Sequence, residues 1–143
     1  MTEPLFSRIL IATDGSAKNR DALEEGLRIA RSGNSTVYAV YVIDTATFAT
    51  ISGEVPLGDT YKIFTEEANQ AFTRIQSCAG NTKVETAILE GHPAAEVVKF
   101  ATKNKIDLIV IGTQGKRGIE RLLLGSVAEE IIRSAPCKVL VVK

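Results

Sequence analysis

The sequence predicts an open α/β sandwich, a parallel sheet with helices on both faces. Two observations carry that prediction. Short apolar runs rich in β-branched residues alternate along the chain with longer segments of helical spacing. The first run, RILIAT at 8–13, and a later one, LIVI at 108–111, are apolar without alternation, as strands buried on both faces are. Parallel strands need long crossovers, and the intervening helical segments supply them in the right-handed sense. No internal repeat or boundary divides the 143 residues, so one domain, 1–143, is expected.

Each element has its own justification. Residues 8–13 end at Asp14-Gly15-Ser16, a turn, and Ser16 is placed to cap a helix over 17–32. That helix carries Leu23, Gly26, Leu27 and Ala30 on one face and stops at Gly33-Asn34-Ser35. TVYAVYVI at 36–43 is the second strand, β-branched and aromatic. Residues 44–59 show neither period and carry Gly53, Pro56 and Gly58, which predicts a long loop. Helical spacing returns over 61–78 through Ile63, Phe64, Ala68, Ala71, Phe72 and Ile75. Residues 84–89 form the third strand, and Pro93 suits the first position of a helix that runs to about 103–104. Residues 107–111 are the fourth strand, 127–133 a helix, and 139–142 the fifth strand after the break at Pro136.

Composition narrows the function classes. Lys+Arg and Asp+Glu both number 17, which gives neither nucleic acid nor an anionic membrane a reason to bind. No apolar run approaches the roughly 20 residues that span a bilayer, and MTEPLFSR lacks the features of a signal peptide. A cytoplasmic protein is expected. Cys78 and Cys137 have no metal or redox spacing and are expected to be small, buried or half-buried residues. His92, the single histidine, sits in a Gly-His-Pro turn and is expected to be exposed or capping, not a catalytic base.

The stretch GTQGKRGIERLLLGS, 112–126, follows the fourth strand and opens the last helix. Gly112, Gly115 and Gly118 recur at three-residue intervals, Lys116 and Arg117 add two cations, and Gly125-Ser126 starts the helix. Glycine lets a ligand approach the backbone, and a helix N-terminus offers free N–H groups to phosphate. The P-loop spacing is missing, as is a dinucleotide fingerprint after the first strand. Gly, two residues, Gly, nine residues, Gly-Ser is the spacing present. It resembles the signature of the universal stress proteins, in their ATP-binding branch. The resemblance runs from ILIATDGS to the terminal VLVV, with Gln114 and Lys138 as minor departures.

The resemblance implies a five-stranded parallel sheet of order 3-2-1-4-5 and a homodimer joined through the last strand. It implies ATP, with magnesium or manganese, as the ligand. Gly112, Gly115, Gly125, Ser126 and Val127 match the motif and would cradle ribose and phosphates. Lys116 and Arg117 would be weaker phosphate contacts, and Gly118 an added flexible residue. Asp14, in its Asp-x-Ser context, would meet either ribose hydroxyls or a metal ion. A turn carboxylate bonding its own backbone is the plainer role for that residue. Val42 would meet the adenine edge through its main chain, with Ala12 and Thr13 lining the pocket. Three functions are open at this point: a nucleotide-dependent regulatory module, a slow ATPase or nucleotidyl transferase, and a scaffold with an empty pocket.

Overall fold

The computed structural model describes residues 4–16, 19–54, 56–113 and 124–143. Five strands form one parallel sheet: β1 (Arg8–Thr13), β2 (Thr36–Asp44), β3 (Val84–Gly91), β4 (Leu108–Gly112) and β5 (Lys138–Val142). Their order is β3-β2-β1-β4-β5. Between them lie α1 (Arg20–Gly33), α2 (Thr45–Ser52), α3 (Leu57–Cys78), α4 (Pro93–Lys103) and α5 (Ser126–Ser134).

The two faces of the sheet carry separate cores, because alternate strand residues point opposite ways. Ile9, Ile11, Val37, Ala39, Tyr41, Ile43 and Val110 meet α1 and α3 through Leu27, Ala30, Phe64, Ala68, Phe72 and Ile75. Leu10, Tyr38, Val40, Ile109 and Ile111 meet α4 and α5 through Ala94, Val97, Ala101, Ala128 and Ile131. The α1 segment comes especially close to the sheet at Gly26. A Cβ there would stand 2.6 Å from Ile11 Cδ1.

Three expectations need correction. Residues 44–59 are not an irregular loop, since α2 occupies Thr45–Ser52 and α3 begins at Leu57. Asp44 caps α2 by accepting the Ala46 N–H at 3.0 Å, and Phe48 and Ile51 pack on the core. Ser16 does not cap α1; Asn19 holds that position, and its N–H donates to the Ser16 carbonyl at 3.2 Å. The chain turns left-handed at Gly15, φ +79°, and the helix begins at Arg20. Cys78 is exposed, whereas Cys137 is half-buried as expected. Elsewhere the expected boundaries move by one or two residues.

Candidate functional site at the parting of two strands

Strand pairing around β1 is asymmetric at its carboxyl end. With β2 it continues to Thr13↔Tyr41, and β4 keeps pairing with β5 to Gly112↔Val142. Between β1 and β4 it stops at Ile11↔Val110. Ladder pairing between these two central strands therefore ends short of their carboxyl ends, at the point where strand order reverses and where open α/β sheets leave a crevice. Open α/β sheets bind ligands at that place.

On the β1 side of the crevice, Ala12 is half-buried and Thr13 is 8% exposed. The Thr13 hydroxyl oxygen accepts the Gly15 N–H at 3.1 Å. Asp14 is half-buried and uses one oxygen locally, Oδ1 accepting the Ser16 N–H at 2.9 Å. Its other oxygen, Oδ2, is buried with no hydrogen-bond partner among the described residues, as are Ser16 Oγ and Asn19 Oδ1. Buried polar atoms are almost always satisfied, so these three oxygens call for donors that the described residues do not supply. Asp14 thus fills its plain turn role and has a carboxylate oxygen left over.

On the β4 side, Gly112 ends the strand half-buried, and the Thr113 N–H donates to the Val142 carbonyl at 3.2 Å. The Gly125 N–H returns to the Thr113 carbonyl at 2.7 Å, so the two ends of the glycine stretch are tied together. Gly125 then holds the N-cap position of α5 without a side-chain cap. The N–H groups of Ser126, Val127 and Ala128, in the first turn, have no carbonyl to meet within the helix. Ser126 is exposed and Val127 is 38% exposed, so this helix end is open to a ligand. Gly115, Lys116, Arg117 and Gly118 lie outside the described residues.

Val42 belongs to β2, half-buried on the α4–α5 side and level with Leu89 of β3. It lies one strand away from the parting, with Ala12 on the same face of the sheet. His92 is exposed at the start of α4, and its Nε2 lies 2.7 Å from Glu130 Oε2 on α5. That contact ties α4 to α5. Among the described residues no three His, Cys, Asp or Glu side chains come together as metal ligands. No described helix is long and apolar enough to cross a membrane.

One group beside the crevice escaped the sequence. Tyr41 of β2, 3% exposed, donates its hydroxyl to Glu67 Oε2 of α3 at 3.1 Å. Burial, the Glu67 carboxylate and, more weakly, Asp14 push the phenol far above its ordinary ionisation range, so it remains a donor. Glu67 looks like one more charge on an amphipathic helix, and only the tertiary fold shows what it meets.

Comparison with known proteins gives this geometry a context. The family model described as the universal stress protein family matches residues 5–143. The chain is 43% identical over 143 residues to the universal stress protein MJ0531 of Methanocaldococcus jannaschii, covering 99% of this chain and 84% of that one. Its fold superimposes with a TM-score of 0.84 on protein MJ0577, 30% identical, covering 97% of this chain and 96% of the other. A universal stress protein crystallised in complex with cAMP aligns with a TM-score of 0.69 at 25% identity, over 96% of each chain.

Proposed function

Because this chain belongs to the universal stress protein family, we propose that it is an ATP-binding member acting as a small nucleotide-dependent regulatory module. The observation that carries this reading is the crevice between β1 and β4. One side carries Asp14, whose Oδ2 has no partner among the described residues, and the other the N-terminus of α5, where Gly125 supplies no side-chain cap. A ribose brings hydroxyl donors and a triphosphate brings anionic oxygens, so the two walls suit the two halves of one nucleotide. The relative held with cAMP supports an adenine nucleotide as the class. Ala12, Thr13 and the Val42 main chain would border the base, and Gly112, Gly125, Ser126 and Val127 the ribose and phosphates. Gly115, Lys116, Arg117 and Gly118 complete the motif from the sequence. Asp14, Ser16 and Asn19 offer hard oxygen atoms, which suit magnesium or manganese, but with a single carboxylate such an ion would arrive on the phosphates.

Binding rather than turnover is the role these groups favour. In-line attack on a phosphoryl group needs a residue that orients water or takes a proton. Among the described residues, the free Asp14 oxygen would be taken by the ribose, and Glu67 receives the Tyr41 hydroxyl. Purified protein is expected to release ATP on acid denaturation and to liberate phosphate far more slowly than the roughly 1–100 per second of kinases. Recovered ADP or AMP with kinase-like phosphate release would replace the module by an enzyme. Absence of nucleotide, with none bound in calorimetric titration, would leave a scaffold.

Assembly follows from the sheet edge. Among the described strands β5 pairs only with β4, and Val139, Leu140, Val141 and Val142 are all half-buried along this edge strand. A bare apolar edge is a pairing hazard, which a two-fold mate would cover. Sedimentation at micromolar concentration is expected to give a dimer. A monomer there would refute pairing through β5.

A further inference from the structure

We infer that Glu67 of α3 is a positioning residue for the nucleotide pocket, holding the Asp14–Gly15 turn so that the free Asp14 oxygen meets the ribose. The inference rests on the nucleotide reading above.

The contact is direct. Gly15 adopts φ +79°, and a Cβ on it would stand 2.9 Å from both Cγ and Oε1 of Glu67. The stem and head of Glu67 therefore lie against the Gly15 backbone, in room that only glycine leaves. Oε2 of the same carboxylate receives the Tyr41 hydroxyl, and Tyr41 is rooted in the buried strand next to β1. One side chain thus joins the turn after β1 to β2 and to α3. Two helical turns further along α3, Arg74 donates to the Gly15 carbonyl at 3.4 Å, so the helix grips the same peptide twice. Within the turn, Thr13 and Asp14 take the next two N–H groups. Asp14 Oδ1 is committed to this framework, and what remains to the carboxylate is Oδ2, buried and without a partner among the described residues.

A left-handed turn held from three sides has little freedom to rotate its neighbour's carboxylate. Catalytic and binding groups need such support, since a displacement of about 1 Å is enough to lose a directed hydrogen bond. Glu67 never touches the ligand in this account. Its effect must pass through Asp14 and must be specific to whatever Asp14 reads.

That condition is testable with two nucleotides. ATP and 2′,3′-dideoxy-ATP are titrated calorimetrically into wild type, Glu67→Ala, Glu67→Gln, Asp14→Asn and the Asp14→Asn/Glu67→Ala double variant. Glu67→Ala is expected to lose about tenfold for ATP, the scale of one directed bond to a charged group, and less than about twofold for the dideoxy nucleotide. Glu67→Gln keeps the stem against Gly15 and an oxygen for Tyr41, so it should restore most of the ATP affinity. In the Asp14→Asn background, Glu67→Ala should add nothing. Equal losses for both nucleotides, or a full loss that persists without Asp14, would overturn the inference.

A ligand-free measurement separates it from the nucleotide reading. The Gly15 and Asp14 amide resonances of the apo protein should move in Glu67→Ala while those of β5 stay in place. Unmoved amides would overturn the positioning role even where ATP binds. Moved amides with no ATP binding by wild type would support the turn contact and sink the nucleotide reading.

Discussion

Gly26→Ala is expected to destabilise the protein, and in an Ile11→Ala background the same substitution is expected to stabilise it. Alanine is the better helix former by about 1 kcal/mol, so propensity alone predicts a gain in both backgrounds. Packing decides otherwise. The added Cβ would stand 2.6 Å from Ile11 Cδ1 and 2.8 Å from Cγ1, while Val110 Cβ at 3.6 Å is an ordinary neighbour. Ile11 is fully buried in the central strand, so its side chain cannot swing away. Overpacking of this kind costs about 1–3 kcal/mol, which outweighs the propensity gain. Ile11→Ala removes both crowding atoms and by itself costs about 2–5 kcal/mol, leaving a cavity that the Gly26→Ala methyl partly fills. Urea melts of the four proteins measure the cycle. A neutral or stabilising Gly26→Ala in the wild-type background would mean that α1 rides further from β1 than the structure places it.

This close approach explains which parts of the fold were legible in the sequence. The spacing of Gly26, Leu27 and Ala30 on one helix face is a local signal, and the face is buried as expected, with Ala22 fully buried and Leu23 only half. Unbroken apolar runs such as Ile109–Ile111 mark strands that are covered on both sides. Strand order is different in kind. It is set by which crossovers pack against which face, and the family resemblance supplied it where periodicity could not.

The errors have equally local causes. The segment TATFATIS of α2 is threonine-rich and only Phe48 and Ile51 reach the core, so it shows too little apolar spacing to be recognised. Its signal was the Asp44 cap, which sequence alone does not separate from a turn residue. The first turn of α3 contains Gly58 and Asp59, both exposed, and looks like more loop. Thr60 is nonetheless fully buried there, its hydroxyl donating to the Pro56 carbonyl at 3.2 Å.

At the candidate site, local chemistry is legible in the sequence and contacts made by the fold are not. Asp14, Gly112 and the Gly125–Ser126 helix start are visible as turn and cap chemistry. Glu67 lies 52 residues beyond Gly15 and meets it only because α3 packs beneath the β1–β2 ends. Ser16 and Asn19 are omissions of another kind, close to Asp14 in sequence: each carries a buried oxygen with no partner among the described residues, which only burial reveals.

Gly125→Val is expected to weaken ATP and AMP alike by about a hundredfold to ten-thousandfold while leaving the fold nearly intact. The magnitude corresponds to losing two backbone hydrogen bonds to a charged ligand, about 1.5–3 kcal/mol each, at about 1.4 kcal/mol per decade. Backbone strain is not the cause. Gly125 has φ −63° and ψ 153°, a region that valine adopts readily. Its N–H still donates to the Thr113 carbonyl and its carbonyl still accepts the Glu129 N–H, so residue 125 stays tied to Thr113 and α5 still begins at Ser126. Valine is a poorer N-cap than glycine, which makes a loss of well under 2 kcal/mol the expected effect on apo stability. The ligand meets a different surface. An anion drawn to the first turn of α5 must approach the Ser126 and Val127 N–H groups past residue 125, and a branched side chain there holds it off. Both nucleotides suffer because the obstruction lies at the backbone cradle and not at an outer phosphate. Calorimetric titration with ATP and AMP, paired with urea melts of the apo proteins, measures both halves of the claim. Wild-type affinity in Gly125→Val would place the phosphates away from α5, whereas a collapsed melt would show that the glycine serves the fold before it serves the ligand.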